Sequence, residues 1–140
     1  KSYFPNITYI LLLVIQKKMN FILQKESFAK NDIPTRLHQL AENLSQIKNL
    51  CVEGSHQESI LNLAKESRYF IEWTVPDLVL LDIDLAAELV DLGRVLTRWL
   101  FNWEQIWSDA TEKSQALQLA EDWIKRVLEI SLLQSQSMTA

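Results

Sequence analysis

The chain has 140 residues, of which 48% are hydrophobic and 23% are charged, so its composition is that of a globular protein and excludes global disorder. Its formal net charge of −4 argues against a nucleic-acid-binding surface, which is normally basic. The single cysteine, Cys51, excludes an intramolecular disulfide and a cysteine-rich metal site, and we expect it in the core. A chain without disulfides fits a reducing compartment, so we expect a cytoplasmic protein.

Glycine is scarce, with two residues in the whole chain, so few loops can depend on a left-handed backbone. Apolar residues recur at spacings of three and four, which is the period of an amphipathic helix. We therefore predict an all-α protein. Residues 31–133 are expected to form an antiparallel bundle of about four helices, and residues 134–140 a fraying polar tail.

Residues 1–30 are a basic N-terminal extension with five lysines and one acidic residue, whereas residues 31–140 carry nine basic and seventeen acidic residues. The apolar run Ile7–Ile15 has nine residues. A membrane-spanning helix needs about 20, and a signal peptide has its basic residues before the apolar run, so we expect no membrane partner. Met19 is a candidate natural start, which would place residues 1–18 outside the native protein. The alternatives are a strand or short helix packed on the bundle, or a tail that touches a membrane.

The first bundle helix is expected to begin after Asn31 or Asp32, either of which can act as its N-cap. Gly54 is expected to end it, because glycine readily takes the left-handed conformation that follows many helices. Ser55 and Glu58 have the spacing of a capping box, which predicts the start of the second helix. Since the intervening turn is short, these two helices should be antiparallel neighbours.

The second helix is expected to end near Trp73, where a Thr-Val-Pro-Asp sequence follows. The third, from Pro76 to Trp107, is then the longest, and we expect a kink or break near Asp82–Asp84 or near Gly93. Besides its main apolar stripe it has a second apolar line, which predicts contact on two sides (Val79, Ile83, Val90 and Phe101). Ser108-Asp109 is expected to cap the last helix.

Three tryptophans recur at intervals of four near the end of the third helix: Trp99, Trp103 and Trp107. Most of this stripe should belong to the core, but aromatic side chains are also enriched at protein interfaces. With Arg94 and Arg98 just upstream, this edge is our predicted partner-binding surface. The leading hypothesis is therefore a small non-catalytic protein that binds a protein partner or itself, with a homodimer as one form.

An acidic stretch suggests the alternative function. Six carboxylates and no basic residue lie between Glu72 and Asp91. The sequence Glu88-Leu-Val-Asp91 resembles half of the metal-binding pattern of all-α nucleoside triphosphate pyrophosphohydrolases, although the preceding helix lacks the family's second ExxE motif. This resemblance implies a Mg²⁺-dependent nucleotide or phosphate hydrolase, with a ligand set drawn from two helices (Asp84, Glu88, Asp91, Glu66 and Glu72). A solvated acidic face is the competing interpretation.

A second alternative is phospho-signalling. The apolar stretch that ends at Asp82 resembles the phosphoacceptor strand of response-regulator receiver domains, which implies Asp82 as the phosphorylated residue. The rest of the chain departs from that family, because residues 31–73 and 109–133 have helical patterns throughout. A four-helix bundle with an exposed histidine also resembles a phosphotransfer domain, which implies His38, although the lysine and glycine that follow the histidine in such domains are missing.

Overall fold

The structure, a computed structural model, describes residues 6–54 and 56–139, the last two by their backbone alone. The described residues form five helices and no strand, which confirms the all-α prediction. One helix more than expected is present, because the N-terminal residues are helical as well. The chain divides into two compact units, Lys1–Asn31 and Asp32–Ala140.

The helices are α1 (Ile7–Ala29) in the first unit, followed by α2 (Ile33–Glu53), α3 (Gln57–Val79), α4 (Ile83–Ser108) and α5 (Ala110–Thr139) in the second. Within the second unit the connections are very short, and α4 and α5 are separated by Asp109 alone. Such short connections force successive helices to reverse direction and pack side by side.

Long-range polar contacts show that the packed helices of the second unit run antiparallel. Arg36 of α2 reaches Asp77 of α3, whereas Asn43, further along α2, reaches the earlier residue Glu66. The same reversed order relates α5 to α2 and to α4 (Pro34–Ser131 and Lys48–Glu121; Glu88–Arg126 and Arg98–Glu112). The second unit is therefore a four-helix antiparallel bundle.

Both ends of α2 follow the sequence prediction. The Asp32 carboxylate accepts a hydrogen bond from the Thr35 amide at 2.9 Å. Hydrogen bonds from the Thr35 side chain and amide hold the pKa of Asp32 below its ordinary value. Gly54 ends the helix with φ of 95° in the left-handed region. The proposed capping box lies partly outside the described residues, since Ser55 is not among them.

The prediction that the second helix ends near Trp73 is wrong, because α3 continues through Pro76 to Val79. A proline inside a helix removes one hydrogen bond and crowds the preceding turn, at a cost of about 3 kcal/mol. Two other contacts support this turn. The Thr74 hydroxyl donates to the Phe70 carbonyl at 2.7 Å, and Arg36 of α2 binds the Asp77 carboxylate at 2.7 Å.

The expected break near Asp82 is present, since α3 and α4 are separated by residues 80–82. The alternative site, Gly93, lies inside an unbroken α4, in which a glycine costs stability but does not end the helix. A kink occurs instead at Asn102, whose φ and ψ are −125° and 19°. There the Asn102 side chain donates a hydrogen bond to the Arg98 carbonyl at 3.3 Å.

The longest helix is α5 with 30 residues, not the helix that contains the tryptophan stripe. Its start is capped as predicted, because the Asp109 carboxylate accepts from the amides of Thr111 and Glu112. Helix α5 extends through the segment that was expected to fray, as far as Thr139, and Gln134 at the start of that segment is 5% exposed. Just before this segment, the Ser131 hydroxyl donates to the Pro34 carbonyl at the start of α2 at 3.1 Å.

Most of the bundle core is aliphatic. Leucine and isoleucine side chains on the facing sides of α2, α3, α4 and α5 are 2% exposed or less (Leu37, Leu40, Leu44, Ile47, Ile60, Leu78, Leu89, Leu92, Leu96 and Ile130). Burial of each such side chain contributes roughly 1.5–3 kcal/mol to folding. Cys51 belongs to this core, as predicted, and burial raises the pKa of its thiol, which opposes formation of the reactive thiolate.

Candidate interaction surfaces

The tryptophan stripe is part of the core. Trp99 and Trp103 are 4% and 3% exposed, and their rings pack edge-to-face with centroids 6.2 Å apart. Trp107 is half-buried, with its ring centroid 5.9 Å from that of Trp103 and the Lys113 ammonium 4.3 Å above it. The predicted partner-binding edge therefore requires a correction, because Trp99 and Trp103 present almost no surface to a partner.

The two arginines of that predicted edge are exposed, but both have acidic neighbours within the same chain. Arg94 binds the Asp91 carboxylate at 2.8 Å, one helical turn away. Arg98 lies 3.8 Å from Glu112 across the gap between α4 and α5. Arg98 lines a groove between α4 and α5 together with Trp99, but Trp99 is 4% exposed, so it adds little aromatic surface beside the arginine.

The second apolar line predicted for the third helix is exposed rather than buried, which corrects the prediction of contact on two sides. Its four members are 39–79% exposed (Val79, Ile83, Val90 and Phe101). Phe101 is the most exposed of them, and it immediately precedes the kink at Asn102. Helical periodicity predicted that these residues share a line, but the break at residues 80–82 places Val79 in α3 and the other three in α4.

The most prominent apolar surface of the bundle lies at the turn between α3 and α4. Leu80 is 82% exposed, Leu81 is 64% exposed and Ile83 is 69% exposed. We name these three residues the apolar end. Two further exposed leucines of α5 lie at the same end of the bundle, Leu132 (59%) and Leu133 (45%). Their neighbour Ser131 binds the Pro34 carbonyl at the start of α2, and the start of α2 contacts the end of α3 through Arg36 and Asp77.

The backbone that carries the apolar end is well fixed. The amides of Leu81 and Asp82 both donate to the Leu78 carbonyl, at 2.9 and 2.8 Å. The Asp82 carboxylate caps α4 by accepting from the amides of Asp84 and Leu85, each at 3.1 Å. The three apolar side chains are consequently presented by a capped helix junction and not by a loose loop.

The acidic residues proposed as Mg²⁺ ligands are dispersed in the structure. Glu88 forms two hydrogen bonds with Arg126, at 2.9 and 2.7 Å, and these bonds raise the pKa of the Arg126 guanidinium. The other candidates lie beside different residues: Asp91 beside Arg94, Glu66 beside Asn43 and Glu72 beside Arg68. Asp84 is exposed. No group of three or more His, Cys, Asp or Glu side chains among the described residues could hold a metal ion.

Millimolar Mg²⁺ is expected to leave the thermal midpoint of the protein unchanged, because Glu88 and Asp91 already bind arginines. The measurement is differential scanning calorimetry with MgCl₂ against KCl at equal ionic strength. A ligand present at about 100 times its Kd would add roughly 2.7 kcal/mol of stability. A midpoint that rises clearly with Mg²⁺ and not with KCl would contradict the dispersed arrangement.

The receiver interpretation of Asp82 is wrong. A receiver needs a central sheet, whereas the described residues contain no strand, and the Asp82 carboxylate serves as the N-cap of α4. His38 is exposed on α2, beside a shallow depression that also includes Glu42 and Ser45. An exposed histidine on a four-helix bundle is compatible with phosphotransfer, but no lysine borders this depression.

A groove of about 310 Å³ lies between α4 and α5, with Trp99, Ile106 and Leu119 among its lining residues. Within the described part of the chain, one oxygen of Glu112 is buried without a hydrogen-bond partner. A catalytic site would need a nucleophile or a base held within hydrogen-bond distance of a second functional group. Glu112 lies 3.8 Å from Arg98, and Asp122, which also lines the groove, accepts a hydrogen bond from Gln118 at 3.0 Å. Neither pair combines a hydroxyl or thiol nucleophile with a base.

Helix α1 has a very different surface from the bundle helices. Twelve of its large apolar side chains, from Ile7 to Leu23, are 38–73% exposed. The nine-residue run is thus part of a 23-residue helix, and this helix is long and apolar enough to cross a membrane by length and composition. Lys17 and Lys18 stand at its middle, however, and each would cost about 2.5–3.5 kcal/mol at the centre of a bilayer.

Comparison of the chain with protein-family models, with curated proteins and with solved structures gives no match. The function must therefore be argued from the surfaces described above.

Proposed function

We propose that the bundle is a non-catalytic interaction module that binds a protein partner through the apolar end. The observation that supports this proposal is the combination of high exposure and fixed backbone at Leu80, Leu81 and Ile83. The carboxylates of the described residues are too dispersed to hold a metal ion together. The Cys51 thiol is buried and its pKa is raised, so it is a poor nucleophile. A binding role therefore fits the described chemistry better than catalysis.

The apolar end can supply useful binding energy. Burial of a leucine or isoleucine side chain stabilises a complex by roughly 1.5–3 kcal/mol, and three are available in one place. Because the junction is already capped, a partner need not order this segment on binding, which avoids part of the usual entropic cost. Fixed apolar anchors of this kind are typical of the centre of protein interfaces.

The charges around the apolar end indicate the kind of partner. Asp82 and Asp84 lie beside it in sequence and Asp84 is exposed, whereas the nearby Asp77 is already paired with Arg36. Two copies joined through this end would bring these carboxylates together, which is unfavourable. A different protein with an apolar groove and a basic rim is complementary in both respects, so we propose such a partner in preference to a homodimer.

Site-specific photo-crosslinking in the source cell tests this proposal. A photoreactive amino acid in place of Leu81 is expected to give a discrete adduct with one other protein. The matched control is the same substitution at Val52, which is 67% exposed near the opposite end of the bundle. A discrete adduct from both positions, or from neither, would contradict the assignment of the binding surface.

Serine at positions 80 and 83 is expected to remove most of that adduct without unfolding the bundle. Loss of two apolar contacts should weaken binding at least about tenfold, because each contributes more than 1.4 kcal/mol when fully buried. Stability should change by no more than about 0.5 kcal/mol, because both side chains are exposed in the free protein. The measurements are the adduct yield and the urea midpoint of the double variant. An unchanged yield would show that the partner binds elsewhere, and an adduct that joins two copies of the chain would favour the homodimer.

A further inference from the structure

Helix α1 exposes apolar side chains around its whole circumference. Within the window that meets the length and composition criteria for a membrane helix, none of the residues is buried. Large contiguous apolar surfaces on soluble proteins mark sites that another phase or molecule covers. The apolar surface of α1 is independent of the apolar end of the bundle, and it has its own charge pattern.

The lysines of α1 lie on one side of the helix. At about 100° per residue, Lys17, Lys18 and Lys25 fall within an arc of about 100°. The opposite side has no lysine and carries four apolar residues within an arc of about 80° (Tyr9, Leu12, Met19 and Leu23), together with Gln16 and Ser27. The three lysines and these four apolar residues are all exposed. Apolar residues therefore occur on both sides of α1, whereas its lysines occur on one side, and this combination suits the boundary between lipid headgroups and acyl chains.

We infer that α1 binds, parallel to the surface, a membrane that contains acidic phospholipids. The four apolar residues of the opposite side would enter the acyl region, and Lys17, Lys18 and Lys25 would contact the lipid phosphates. Apolar residues also occur on the lysine side. They do not prevent this arrangement, because the long aliphatic stems of the lysines can extend past them and bring the ammonium groups to the headgroups.

Two other arrangements fit the charges of α1 less well. A spanning helix would place Lys17 and Lys18 in the middle of the acyl region. A pair of α1 helices from two copies would bring the same two lysines close together in either orientation, because they stand at the helix centre. An acidic lipid surface removes both conflicts, since it supplies apolar depth and negative charge together.

Vesicle flotation of the full chain tests this inference. We expect binding to phosphatidylcholine vesicles that contain phosphatidylglycerol and weak binding to vesicles of phosphatidylcholine alone. Raising the salt from about 0.1 M to 1 M shortens the Debye length from about 10 Å to 3 Å and should release the protein. Absence of binding to acidic vesicles, or binding that resists high salt and alkaline extraction as a spanning helix would, overturns the inference.

Variants separate the role of charge from that of apolar contact. Glutamine at positions 17, 18 and 25 should weaken binding to acidic vesicles roughly 100-fold, since each lysine near an anionic surface contributes about fivefold. The matched control places glutamine at Lys48, Lys65 and Lys125 of the bundle, which changes the net charge equally. Equal losses in the two triple variants would show a non-specific charge effect and overturn the assignment to α1.

A second pair of variants tests the orientation of the helix. Serine at Leu12, Met19 and Leu23 should abolish flotation, whereas serine at three exposed residues on the lysine side should reduce it much less (Ile10, Val14 and Phe21). Equal effects on the two sides would contradict a helix that lies along the surface. If α1 self-associates instead, sedimentation will show a dimer of the unchanged chain, and the triple serine variant at Leu12, Met19 and Leu23 will be a monomer. Neither the unchanged chain nor that variant will then bind vesicles, which also overturns the inference.

Discussion

Replacing Trp103 with alanine is expected to destabilise the bundle by roughly 3–5 kcal/mol, which is the usual cost of removing a buried aromatic side chain. Trp103 is 3% exposed and lies between the rings of Trp99 and Trp107, so neither neighbour can fill the cavity without moving. In a domain of this size the thermal midpoint should fall by about 10 °C or more. Urea unfolding followed by circular dichroism measures the loss independently of tryptophan emission.

The matched control is Phe101→Ala, two residues away on the same helix. Phe101 is 79% exposed, so its truncation should change stability by no more than about 0.5 kcal/mol. This pair of variants separates the core from the interface interpretation of the aromatic stripe. Similar costs at both positions, or a Trp103 variant of normal stability, would contradict the packing described for α4.

Replacing Asp77 with alanine is expected to cost about 2 kcal/mol, because it removes the carboxylate that faces the buried Arg36 guanidinium. The two groups are 2.7 Å apart, and their side chains are 7% and 54% exposed. Because the Asp77 side chain is half-exposed and solvent screens it, we expect a smaller loss of stability than the roughly 3–5 kcal/mol of fully buried pairs. Hydrogen exchange should also increase at the following turn, since Asp77 belongs to the last turn of α3 before the apolar end. The stability measurement is again urea unfolding.

The control for this variant is Asp91→Ala, which removes an exposed ion pair of almost the same length. Asp91 lies 2.8 Å from Arg94, with side chains 59% and 77% exposed, so we expect a cost below about 0.5 kcal/mol. Combining Arg36→Met with Asp77→Ala should recover part of the lost stability by removing the buried charge as well. Equal costs for the two aspartates, or no recovery in the double variant, would contradict a buried charge at Arg36.

The candidate surfaces could be predicted from the sequence only in part. The acidic residues Glu88 and Asp91 and the aromatic residues Trp99 and Trp103 all stand out by composition and spacing, and each suggested a site. In the structure these carboxylates bind arginines and these indoles fill the core. The apolar end was missed because Leu80 and Leu81 continue an apolar run that resembles a buried helix face. The one local signal was the group of aspartates on both sides of it.

The sequence by itself determined the helical class and those helix boundaries that have a local cap. These features depend on residues close together in the chain, so they can be recognised without knowing the tertiary structure: the apolar spacing, the caps at Asp32 and Asp109, and the left-handed Gly54. The tertiary structure alone decided that α3 continues past Pro76 and which carboxylates are paired. The deciding contacts join residues far apart in the chain, 41 positions for Arg36 with Asp77 and 38 for Arg126 with Glu88. Such partners depend on how the helices pack, because periodicity within one helix shows which residues share a face but not what covers it.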